Sequence, residues 1–112
     1  MKNTIERLTN GTRPIFEEYK GYQICALPHS EALSYFPDLG KANGYIEIPE
    51  FSGKGYDDIP CGSIHGGFTF AEESVFGFDT LHINSNSDMD EKWVLQHLKE
   101  YIDEVLINDK NQ

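Results

Sequence analysis

Two histidines and an aspartate, His65, Asp79 and His82, lie in one glycine- and aromatic-rich stretch that runs from Cys61 to His82. Imidazole and carboxylate are the ligand types that zinc and other divalent metals take in proteins. Zinc needs a fourth donor, and Cys61 is the attractive candidate because thiolate binds zinc strongly. An unbroken strand would hold Cys61 roughly 13 Å from His65, at about 3.3 Å per residue. Cys61 can therefore join the set only if Gly62-Ser63 turns the chain, which Pro60 and Gly62 favour. Asp57, Asp58 or water are the other options for the fourth ligand. A closed set of four ligands would make the metal structural, whereas an open position would let it activate water. The same residues have a plainer reading, in which Asp79 orients His82 as an ordinary buried hydrogen-bonded pair. Their spacing matches no CxxC-type zinc motif.

Other reactive residue types carry less. His29 follows Pro28 in a loop, and His97 falls within a helical pattern as a surface or boundary residue. Gly66-Gly67 lacks the context of a phosphate-binding loop. Ser63, Thr69 and Ser74 lack that of a nucleophile elbow. Cys61 with a nearby histidine could form a nucleophile pair, but no oxyanion hole can be named for it.

The elements that must position these side chains read as an α+β fold: a small antiparallel sheet of about four to five strands packed by a C-terminal amphipathic helix. Pro14 to Lys20 and Tyr22 to Leu27 read as two strands around Gly21. In the second, Tyr22, Ile24 and Ala26 share one face and Gln23, Cys25 and Leu27 the other. Ser30 can cap a short helix over Glu31 to Phe36. Asn43-Gly44 reads as a turn, followed by a strand in which Tyr45, Glu47 and Pro49 alternate with Ile46 and Ile48. Residues 51–60 read as a loop. Ile64 to Phe70 and Val75 to Asp79 read as a hairpin around a polar turn at 71–74. That pairing would set His65 beside Asp79, with His82 folding back toward both. Two glycines inside the first of these strands would weaken it unless they admit a bulge, a ligand or another backbone. Ser87 or Asp88 can cap the last helix, with Asp90 or Glu91 three residues on. Trp93 or Val94, Leu98, Tyr101 or Ile102, and Val105 then recur at helical spacing as a core-facing stripe.

Length and composition bound the rest. A chain of 112 residues reads as one domain over 1–112, with a polar stretch at 1–12 that can fray. Nine Lys and Arg face nineteen Asp and Glu, a formal charge of -10, which repels free nucleic acid and attracts a basic protein. Glu72, Glu73, Glu100, Asp103 and Glu104 are the candidate partner contacts, and a merely solvated face is the plainer account of each. Two cysteines are too few for a secreted disulfide framework. No leader-like opening or spanning apolar run is visible, so the expectation is a cytoplasmic protein that does not engage a membrane.

Asn43-Gly44-Tyr45-Ile46-Glu47-Ile48-Pro49, Tyr56-Asp57-Asp58, His65-Gly66-Gly67-Phe68-Thr69-Phe70 and Phe76-Gly77-Phe78-Asp79 with His82 resemble the motifs of a family of small phage and prophage proteins. That resemblance covers residues 43–82, and most members have no known role. The segment around Cys61 departs from the pattern, in which apolar and acidic residues alternate before the His-Gly-Gly. The chain is also similar in size, acidity and expected metal content to small phage-encoded inhibitors of type II CRISPR nucleases, one class of which is a zinc-binding α+β protein. This likeness implies an acidic, zinc-stabilised inhibitor that binds a CRISPR effector nuclease in the host cytoplasm. A metal-dependent hydrolase of a nucleotide or phosphoester, and a sponge for a defence signalling nucleotide, are the competing expectations.

Overall fold

In the computed structural model the described residues are 14–28, 40–80, 85 and 88–107. They form a five-stranded antiparallel sheet and one helix, the α+β architecture expected from the pattern. The strands are β1 (Ile15–Tyr19), β2 (Tyr22–Pro28), β3 (Ala42–Glu47), β4 (Phe70–Glu72) and β5 (Val75–Phe78), in spatial order β1-β2-β3-β5-β4. Helix α1 spans Glu91–Tyr101, and wider π-helical turns carry it on through Ile102–Ile107. Among the described residues no helix is long and apolar enough to cross a membrane. The short helix expected over Glu31 to Phe36 lies outside the described residues.

Alternation decides which side of the sheet meets the helix. Tyr22, Ile24 and Ala26 of β2, Ile46 and Ile48 in and after β3, and Phe76 and Phe78 of β5 face α1. There they pack against Val94, Leu95, Leu98, Tyr101, Ile102 and Leu106 in one core. Cys25 and Val75 point to the opposite face, against Phe16, Tyr45 and Phe70. Lys20 and Gly21 both have positive φ, the conformation a two-residue hairpin loop demands of its central residues.

The structure corrects several local readings. Asn43-Gly44 is strand, not turn: Asn43 pairs with Leu27, and Gly44 with Ala26 and Phe78. Glycine is required at 44 for packing, because a Cβ there would lie 2.4 Å from the Phe78 ring and 2.8 Å from Val94 Cγ1. Gly77 serves the other face in the same way, where a Cβ would meet the Tyr45 ring at 2.6 Å.

The hairpin expected over 64–79 exists but is shorter. Phe70 pairs with Gly77, Ala71 with Phe76 and Glu72 with Val75, so Ala71 and Glu72 are strand and the turn falls at Glu73-Ser74. Residues 64–69 are not strand. Gly66 and Gly67, at φ of 71° and 75°, bend the chain there, and the Gly67 N–H returns to the Ile64 carbonyl at 2.9 Å. These two glycines therefore make a turn and do not weaken a strand. The cap of α1 is Asp90, whose side chain accepts the Trp93 N–H at 2.9 Å, and not Asp88; Ser87 lies outside the described residues.

Candidate functional site

The glycine turn delivers His65 to the helix side of the molecule. Its backbone N–H donates to Nε2 of His97 at 2.9 Å, and its own Nε2 lies 2.9 Å from the Ser85 hydroxyl. The Trp93 ring meets the His65 ring edge-on, with centroids 5.9 Å apart. Trp93 and His97 are four residues apart on α1, so one turn of helix stacks their rings, at 4.6 Å and 21°. Phe78 closes the far side of His97, with centroids 5.4 Å apart. The result is a half-buried aromatic nest that joins the 61–67 loop, the end of β5 and the helix.

The hydrogen bonds assign the His97 tautomer. Because Nε2 accepts from a backbone N–H, the ring proton resides on Nδ1, which faces Glu100 Oε1 at 3.8 Å. Burial pulls the His97 pKa below its usual value, and the neighbouring Glu100 carboxylate offsets part of that effect. Next to the ring is a cleft of about 280 Å³ lined by Ser63, Ile64, His97, Glu100, Tyr101 and Glu104.

Cys61 is exposed, at the start of a turn that the Ile64 N–H closes onto its carbonyl at 2.9 Å. The chain reversal at Gly62-Ser63 that a Cys61 ligand would need is therefore present, with Gly62 at φ of 49°. The same turn is fastened to the helix. Ser63 donates to Glu104 at 2.8 Å, and the Tyr101 hydroxyl donates to the Pro60 carbonyl at 2.6 Å. Burial, with the nearby Cys61 second, raises the Tyr101 pKa.

Asp79 follows Phe78 and takes the other parity, on the side of Tyr45 and Thr69. The Thr69 hydroxyl lies 3.4 Å from its Oδ2. Burial is the main cause of a raised Tyr45 pKa, with Asp79 a further contributor. The described contacts of His65 and of Asp79 thus belong to different neighbourhoods, the aromatic nest in one case and the Tyr45 side in the other. His82 lies outside the described residues. Among those described, no three His, Cys, Asp or Glu side chains come together in a way that could hold a metal ion.

Of the acidic residues singled out as partner contacts, all five are exposed. Glu72 and Glu73 occupy the end of the β4–β5 hairpin. Asp103 already accepts from the Tyr19 hydroxyl at 2.8 Å and from Lys20 Nζ at 2.6 Å. Glu104 holds Ser63, and Glu100 faces His97. Asp57 and Asp58 are also exposed, in the loop before Cys61. Sequence reasoning did not find Ser85 and Trp93 beside His65, nor the backbone bond to His97. The four-residue spacing of Trp93 and His97 was the available signal. Comparison with protein-family models, with curated proteins and with solved structures yielded no match to this chain.

Proposed function

We propose that this chain works by binding, as an acidic protein that docks on a basic surface of a nuclease and blocks its handling of nucleic acid. The observation that carries this reading is the excess of ten negative charges, with Glu72, Glu73, Glu100, Asp103 and Glu104 all exposed. A guide-loaded type II CRISPR nuclease, the target that the phage-inhibitor resemblance suggests, keeps its heteroduplex and displaced strand in positively charged channels. A small acidic domain competes for such a channel by charge complementarity, which speeds encounter and selects against acidic partners. The setting of this activity is the cytoplasm of an infected host.

The test is retention of a purified type II nuclease on the immobilised chain across a salt series. Retention that falls steeply as salt rises supports charge-led docking. No retention at low salt, or retention indifferent to salt, overturns it. The zinc expected at His65, Asp79, His82 and Cys61 enters this reading as a structural ion. Metal analysis of the purified chain, with a melting curve before and after chelation, tests it separately from docking.

A further inference from the structure

The outer strand β1 is attached to the rest of the molecule in an unusual way. Helix α1 lies over β2 and β3 and only grazes β1. On its helix-facing side β1 presents Ile15, Glu17 and Tyr19. Ile15 is 43% exposed and so buries little. Glu17 is paired with Lys99 of the helix. Two ammonium groups lie over the Tyr19 ring, Lys20 Nζ at 5.2 Å and Lys99 Nζ at 5.7 Å from its centroid. Its hydroxyl donates to Asp103 Oδ2, and Lys20 donates to the other carboxylate oxygen. The strand and its loop are therefore tied to the helix by two ion pairs and by two lysine–tyrosine ring contacts.

We infer that β1 is an ion-latched edge strand, which opens away from the helix while the remaining sheet stays folded. Two observations support this beyond the ion pairs. The latch is open to water, with the Lys20 and Asp103 side chains 48% and 46% exposed, so dissolved ions reach and screen it. Beneath it, Tyr22, Ile24 and Ala26 of β2 are buried against the helix, and Tyr19 is the β1 side chain that packs on that core, so most of the core survives the opening. Phe16 and the ladder to β2 are the remaining contacts that opening must break. Opening bares the hydrogen-bonding edge of β2, the kind of edge that accepts an added strand.

Native-state hydrogen exchange on the full chain, read by mass spectrometry at about 0.01 M and about 1 M salt, tests this by changing the screening length roughly tenfold. Screening of these exposed pairs should quicken exchange within 15–19 by about tenfold in high salt. The amides of β3, β5 and α1 should not change. Asp103→Asn should show the quickened exchange already at low salt and respond less to added salt. Lys99→Met provides an independent break of the latch and should act in the same direction. Exchange of β1 in step with β3 at both salt levels overturns the inference, as does loss of the whole fold on Asp103→Asn.

Discussion

Nε2 of His97 accepts the backbone N–H of His65 across 2.9 Å, and this one bond ties the 61–67 loop to the middle of the helix. The loop has no strand pairing of its own between Ile64 and Phe68, so its position depends on such bonds and on burial of Ile64 and Phe68. Replacing His97 with Ala leaves a part-buried N–H without its acceptor. The expected cost is about 1–3 kcal/mol, for the lost bond and the lost ring stack together. Thermal denaturation of His97→Ala measures it. His97→Gln, whose amide oxygen can still accept, should recover part of the loss.

The same bond makes stability depend on pH. The His97 pKa is lowered in the folded chain, chiefly by burial, so the unfolded chain binds the proton more readily. The contribution is present in full above the usual histidine pKa of about 6.5 and is lost as pH falls below it. Protonation puts a second ring N–H against the His65 N–H. Urea midpoints should therefore drop as pH is lowered from 7 toward 5, and the drop should shrink in His97→Gln. An equal drop in both proteins would assign the effect to other groups.

Gly44 and Gly77 should be intolerant of even a methyl group, for reasons on opposite faces of the sheet. Gly44→Ala forces Cβ onto Phe78 and Val94, and overpacking of this kind costs typically about 1–3 kcal/mol. Trimming Phe78 to Leu in the Gly44→Ala background should restore part of the loss. Gly77→Ala should not respond to that second change, because its clash is with Tyr45. Melting temperatures of the single and double variants decide this.

Asp90 should matter to the helix as its N-cap. Its side chain accepts the Trp93 N–H, and loss of a cap costs about 1 kcal/mol. Asp90→Ala should lower the denaturation midpoint accordingly, and Asp90→Ser should restore most of it. The position of Trp93 at N3 of the helix lets indole fluorescence follow the same transition.

Tyr101 gives a test confined to the Cys61 turn. Its hydroxyl donates to the Pro60 carbonyl, so Tyr101→Phe leaves that acceptor to solvent and costs about 0.5–1.5 kcal/mol. The ring packs edge-on against Phe68 and stays in place, which separates this loss from a core defect. Quicker reaction of the exposed Cys61 thiol with a thiol reagent should accompany the change.

Periodicity made the framework legible. The alternation of Tyr22, Ile24 and Ala26 with Gln23, Cys25 and Leu27 predicted which β2 residues share a face, and the helical recurrence of Trp93 or Val94, Leu98, Tyr101 or Ile102, and Val105 predicted the packing face of α1. Both are local repeats, so each segment carries its own instruction. Glycine was misread at Asn43-Gly44 and at Gly66-Gly67. A glycine is used either for backbone freedom or to make room for a neighbour, and residue type alone does not distinguish the two uses. At Gly66 and Gly67 the backbone angles decide; at Gly44 the ring of Phe78, thirty-four residues on, decides.

The candidate site divides along the same line. Sequence set His65 in a stretch of metal-ligand residue types, stated what a Cys61 ligand would require, and identified the carboxylate excess, because these are properties of residue type and spacing. The partners of His65 were decided by tertiary structure. His97 and Trp93 reach it from a helix that follows in the chain, and Asp79 turns to the side of Tyr45 because strand parity sends it there. Long-range contacts of this kind depend on how separate elements are laid over one another, and no local pattern in the chain encodes that angle and register.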